Sequence, residues 1–255
     1  MIVWQVPDAD TPEVSHDGRV KIIGVEVPGG AAVFSCDLPH GADPYRLTWE
    51  HGYGIVRPLS ASGAYPDLAL TVQVRRHGRH IDRHVSPHVR AAGMRHADTL
   101  AAEPVARQRL AAYAIITSRR GLLATQFSHQ TAVPGLWGLP GGGIDPGEAP
   151  SQTVMREVME ETSQHLEIDH LLDLQTDHWI GRSPAGIVED FHAVRIIYAG
   201  RVPEPTDPEV IDIGGTTSTA AWVPLADWRT LPWSQSARLM IDRHLEALTR
   251  HVNDE

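Results

Sequence analysis

Apolar and polar residues alternate with period two from Leu68 to Val74, the spacing that sends successive side chains to opposite faces of a strand. Val20 to Val27 reads as another strand, stopped by Pro28-Gly29-Gly30, with Ala31 to Cys36 as its partner. Trp49 to Pro58 mixes glycine and aromatics without a clear period and is assigned to no element. Residues 1–100 therefore read as a small β-rich N-terminal domain. From Leu110 the texture changes. Ala111 to Thr117 is a continuous apolar strand, Ser118-Arg119-Arg120-Gly121 a hairpin turn, and Leu122 to Phe127 the return. A helix is predicted from about Pro150 to Ser163, and strands over Leu171 to Ile180, Phe191 to Val202 and Ala220 to Val223. A last amphipathic helix runs from Ser234 to Thr249, with Leu239, Met240, His244, Leu245 and Leu248 near one face. Mixed strands and helices make residues 110–255 an α/β sandwich.

Composition narrows the partners. No apolar run approaches the roughly 18 residues that cross a bilayer. Met1 to Asp10 has no basic n-region, so a cytoplasmic location is expected. A single cysteine, Cys36, excludes an internal disulfide and a cysteine zinc site. The formal charge of −10 disfavours nucleic acid and anionic membranes as partners. Small phosphorylated ligands remain open, because a bound divalent cation reverses the local sign. Fifteen scattered histidines suggest composition more than one metal cluster. The arginine-rich run from Arg75 to Arg95 reads as a solvated helix broken near Pro87 rather than a phosphate patch.

The chemistry concentrates in Gly141-Gly142-Gly143-Ile144-Asp145-Pro146-Gly147-Glu148 and the helix behind it. Glu157, Glu160 and Glu161 are spaced i, i+3, i+4 and share one helix face. Val154, Val158, Met155 and Met159 offer an adjoining apolar face to anchor the helix. Like charges at this spacing repel by a few tenths of a kcal/mol per exposed pair, and by more when partly buried. A hard cation such as Mg²⁺, bound by carboxylates, water and substrate phosphates, turns that repulsion into ligation. Arg156 can hold Glu148 through two parallel hydrogen bonds. The three glycines let the main chain approach a ligand.

Gly142, Glu148 and Arg156-Glu157-Val158-x-Glu160-Glu161 resemble the Nudix box, Gly-x5-Glu-x7-Arg-Glu-U-x-Glu-Glu-x-Gly-U with U aliphatic, at every position through Glu161. Leu136-Trp137-Gly138-Leu139-Pro140-Gly141-Gly142 resembles the usual lead-in. The resemblance covers about residues 110–250 and implies a Nudix α/β/α sandwich with a mixed sheet, similar to MutT-like and ADP-ribose pyrophosphatase-like hydrolases. It implies a metal-dependent pyrophosphohydrolase that takes Mg²⁺, or Mn²⁺ in its place. Glu157 and Glu161 would be the main metal ligands, assisted by Glu160 and the Gly142 carbonyl, with Glu148 and Arg156 aligning the helix. The general base varies in the family; it falls on Glu157 or on Glu189 or Asp190 outside the box. The chain departs from the pattern at Ser163, where the family has glycine, and at Gln164, where it has an aliphatic residue.

Weaker candidates are Arg119 and Arg120 for a phosphate, and Trp137 and Trp179 for a base, against solvated-turn and packing roles. His178 and His192 read as structural histidines. A rival function is a Nudix-type module that binds a nucleotide without cutting it; the complete carboxylate set favours the enzyme. Nucleotide-sugars, dinucleotides and nucleoside triphosphates all remain open as small-molecule substrates. The N-terminal domain could set specificity, build a homodimer or cap the site.

Overall fold

The computed structural model describes residues 19–77, 103–182 and 186–250. The first stretch holds β1 (Val20–Val25), β2 (Ala32–Asp37), helix α1 (Pro44–Glu50), β3 (Tyr53–Ala64) and β4 (Asp67–Arg76). These strands form one sheet in the order β2-β1-β4-β3, with β1 and β4 parallel and the other pairs antiparallel. The period-two alternation places Leu68, Leu70, Val72 and Val74 inside. The unassigned aromatic stretch divides between α1 and β3. Asp43 caps α1 by accepting from the amides of Tyr45 at 2.7 Å and Arg46 at 3.1 Å, with Pro44 following it. β3 is an edge strand and its register slips beside Pro58, the kind of place where a strand tolerates a missing N–H. The arginine-rich run beyond His77 lies outside the described residues.

The second sheet contains β5 (Val105–Ser118), β6 (Gly121–Phe127), β7 (Trp137–Gly138), β8 (Gly141–Gly143), β9 (Glu167–Arg182), β10 (Val188–Arg201) and β11 (Thr217–Val223). Its main path is β11-β6-β5-β10-β9, with β7 on β6 and β8 on β5. Only β5 and β10 pair in parallel, which makes the sheet mixed. Helix α2 (Pro150–Thr162) packs on one face and α3 (Gln235–Arg250) on the other. The α3 core gathers Ile115, Leu122, Met240, Ile241 and Leu245.

The face carrying α2 has no core of its own. Val154 and Val158 of α2 and Leu110, Ala112 and Val194 of the large sheet share one apolar cluster with Ile22, Tyr45, Leu70 and Val72. The N-terminal sheet thus shares the apolar core beneath the helix that bears the box carboxylates. Its β3–β4 turn also holds the loop before α2, through Tyr65 N–H to the Glu148 carbonyl and Gly147 N–H to the Tyr65 carbonyl, both 2.9 Å. Met155 departs from its expected anchoring role. It is 43% exposed, and the valines alone carry that contact into the core.

Candidate active site

Helix α2 starts at Pro150, where the missing N–H costs nothing. Gln152 accepts the Ala149 amide at 3.0 Å, and alanine offers no side chain in return. Val154, Val158 and Glu161 are spaced i, i+4, i+7, so the last place in the apolar stripe is a carboxylate. Glu161 is only 7% exposed. It accepts from Gly141 N–H at 2.9 Å and from the Thr217 hydroxyl. Glu157, one turn earlier, lies against the main chain of Gly142, where a Cβ would fall 2.5 Å from its carboxyl. A side chain there would push the Glu157 carboxyl off the main chain, so glycine is what lets the two meet.

Burial raises the Glu157 carboxyl above the carboxylate range, against the pull of Arg156. Burial and the neighbouring Glu157 push Glu161 up to about 8, opposed by its bonds from Thr217 and Gly141. Without a cation the pair therefore holds a proton at neutral pH. A carboxyl raised in the fold stabilises the protein below its unfolded value of about 4.5 and loses that contribution as pH rises to about 8.

Arg156 joins the rest. Its Nε and Nη2 make a fork with both oxygens of Glu148 at 2.7 and 2.9 Å. Nη1 donates to Glu157 and Glu160, each at 3.0 Å, and Asp145 lies 3.5 Å from Nη2. The fork, with Thr153 Oγ1 donating to Glu148 at 2.8 Å, holds Glu148 down at about 2. The expected aligning pair is thus present in the geometry, and one guanidinium faces four carboxylates while Glu161 makes a fifth.

The sequence reading missed Thr217 and Arg109. Arg109 lies just before the apolar run of β5, its guanidinium beside Gly143 and close enough to lower Glu157. It has no ion-pair partner among the described residues. Its lone signal in the sequence was a cation two residues ahead of Ala111.

Six candidate residues from outside the box helix are not brought here. Glu189 pairs in register with Val105, seven positions from the Ala112–Gly142 pairing and so roughly 23 Å along the sheet. It is buried against Arg107 at 3.2 Å, with Oε2 unpartnered, and burial raises its carboxyl. Arg119 sits exposed at the β5–β6 turn, at the opposite end of β5, while Arg120 binds Asp207 at 2.6 Å. Trp137 is half-buried against the α3 core, and its amide and carbonyl bond to Pro232 and Ser234. Trp179 packs against Phe191 with tilted rings 4.4 Å apart at the centroids, and Asp190 joins His178 and His40 instead. A cavity of about 30 Å³ beside α3, lined by Tyr113, Gln175, Arg195 and Ser234, has room for a water and not for a nucleotide.

The end of the box is also resolved. Ser163 takes the left-handed conformation that glycine would have, at φ 53°. Its Oγ bonds the Thr162 carbonyl at 2.7 Å and accepts Glu209 N–H at 3.1 Å, which offsets the strain. Gln164, buried where the family has an aliphatic, spends its amide on Thr162 and on the hydroxyl and N–H of Thr206.

The profile described as NUDIX domain matches residues 107–243, just over half of the chain. This chain belongs to the NUDIX domain family. As a member it is a pyrophosphohydrolase of the Nudix class. It is 28% identical over 123 residues to nucleoside triphosphatase NudI of Enterobacter sp. (strain 638), covering 46% of this chain and 82% of NudI. Among solved structures it is similar to the NUDIX domain of Shewanella oneidensis NrtR complexed with ADP ribose: 27% identity, TM-score 0.43, 56% of this chain and 90% of that one. It is also similar to the MutT NUDIX hydrolase of Burkholderia pseudomallei: 23% identity, TM-score 0.41, 54% of this chain and 98% of that one. The N-terminal sheet lies outside the Nudix match. Among the described residues no helix is long and apolar enough to cross a membrane.

Proposed function

We propose that this Nudix chain hydrolyses a phosphoanhydride bond in a small nucleoside di- or triphosphate derivative, with Mg²⁺, or Mn²⁺ as a substitute, held by Glu157 and Glu161. One observation carries the reading. Two carboxyls one helical turn apart are buried together against Gly141 and Gly142, and Arg156, which bonds Glu157, is already shared with Glu148 and Glu160. An all-oxygen set with excess negative charge suits a hard divalent cation. Glu160, 43% exposed, and the Gly142 carbonyl complete the available oxygens. A bound cation would supply Lewis-acid polarisation of the phosphate chain and offset its charge.

The chain's own residues do the rest. Arg156 fixes Glu157 and Glu160 in orientation while its fork on Glu148 anchors it to the loop. Arg109, beside Gly143 and without an ion-pair partner among the described residues, would donate to a phosphate oxygen. Glu157 or Glu160 would take the proton of the attacking water. The location read from composition stays cytoplasmic, and a homodimer through the N-terminal sheet remains one role for that sheet.

A phosphate-release panel with Mg²⁺ and Mn²⁺ tests the reading. Nucleoside triphosphates head the panel because the relative NudI is a nucleoside triphosphatase; nucleotide-sugars and dinucleotides follow. Turnover of at least one class that stops on chelation is expected, and metal-independent or absent turnover across the panel contradicts it. The raised carboxyls add a second expectation. Cation entry displaces the shared proton, so calorimetry near pH 7 in buffers of different ionisation enthalpy should show proton release of up to about one per chain. The metal-free protein should lose melting temperature from pH 5 to 8, and Mg²⁺ should flatten that slope. Binding without proton release, and a flat metal-free profile, would contradict the buried protonated pair.

A further inference from the structure

The fifteen histidines were read above as scattered composition, yet the fold gathers three of them. His178 and His192 are direct cross-strand partners on β9 and β10, and Asp190, two residues before His192, shares their face. His40 arrives from the loop between β2 and α1. One ligand atom from each of His40, His178 and Asp190 lies within 4.8 Å of the other two. Asp190 Oδ1 is 2.5 Å from His178 Nε2 and 3.3 Å from His40 Nε2. Gly41 makes the approach possible. Its φ is +74°, and a Cβ there would fall 2.9 Å from the His178 ring. Beside the cluster His192 is fully buried, its ring 5.4 Å from that of His40 and 6.2 Å from that of His178. Its Nδ1 is 3.0 Å from Gln108 Nε2. Among the described residues its Nε2 makes no well-formed hydrogen bond, and the Ala42 backbone is the polar group it faces.

We infer that His40, His178 and Asp190 form a second metal site, separate from the carboxylates of α2, for one divalent transition-metal ion. Two imidazoles and a carboxylate form a borderline set that suits Zn²⁺, Co²⁺, Ni²⁺ or Fe²⁺ better than Mg²⁺. Ligand atoms about 2.1 Å from one ion lie about 3–4 Å from each other, so the cluster needs shifts of about 1 Å to close on it. Three protein ligands leave a coordination position for water, and beside them His192, whose Nδ1 accepts from Gln108, presents its Nε2–H as a donor. The three side chains are about a third exposed, so an ion has a way in. The ion ties the loop carrying His40 to β9 and β10, and hence the N-terminal sheet to the Nudix sheet. The site owes nothing to the catalytic reading above.

The test is a Co²⁺ titration of the chelator-stripped full-length protein in millimolar Mg²⁺, which fills hard oxygen sites. One Co²⁺ per chain is expected, with visible d–d absorption from mixed nitrogen and oxygen ligation and a rise in melting temperature. His40→Ala, on an exposed loop, and Asp190→Asn, of the same shape, should each lose both signals while melting like the wild type without metal. Two variants are used so that one that fails to fold leaves the other to decide. Wild-type protein without the absorption, or an unchanged spectrum in the folded variants, overturns the site.

Discussion

Glu157→Gln is expected to lower metal-dependent turnover by roughly 10²-fold or more, with the metal-free protein melting no lower than wild type. The two halves have one cause. Glu157 is raised by burial beside Glu161, so a neutral amide of the same shape removes a repulsion from the empty site. The amide oxygen can still accept from Arg156, whose Nη1 lies 3.0 Å away. What is lost is the negative charge a cation needs. Initial rates across the Mg²⁺ range, together with thermal melts of the chelated protein, check both. Near-normal turnover would remove Glu157 from the mechanism. Lost turnover with a collapsed melt would show that the side chain acts through the fold.

Arg156→Ala should be the most destabilising single change in the site, at roughly 2–3 kcal/mol in urea denaturation, and should also abolish turnover. Breaking a buried ion pair by removing one partner costs more than the pair contributes, because the remaining charge stays buried and unpaired. Arg156 and Glu148 are 29% and 23% exposed, which places the cost below the fully buried range of about 3–5 kcal/mol. Glu157 and Glu160 lose the same donor. Arg156→Lys keeps the charge but not the fork, so an intermediate loss is expected. A loss under about 0.5 kcal/mol for the alanine variant would mean an ordinary solvated pair. The pH profile has a fixed sign here. Glu148, held at about 2, stabilises the fold above about 4.5, and that contribution falls away as pH drops through 2.

Local patterns carried most of the fold. Alternation located β1, β2 and β4, and helix spacing located α2 and α3 within a residue or two at most ends. β3 escaped because Pro58 and the glycines around it break the alternation, and only its edge position makes them tolerable. The box carboxylates and the Glu148–Arg156 fork were legible because spacing along one helix and its adjoining loop decides which groups meet. Thr217, Arg109 and the shared core of the two sheets were not, since strand register brings them together across the chain. The same blindness misplaced Glu189. An acidic residue ahead of an apolar strand is a local pattern, but the parallel pairing of β10 with β5 sets it about 23 Å from Gly142. Ser163 was readable as an exception to the pattern, but its remedy through Glu209 was not.

Anomalous diffraction from crystals soaked in Mn²⁺ tests the central claim most directly. The account predicts a peak within ligating distance of the Glu157 and Glu161 carboxylates, beside the main chain of Gly142, and no such peak in crystals of Glu157→Gln. Wild-type crystals with those two side chains clearly ordered and no anomalous density between them at millimolar Mn²⁺ would contradict it.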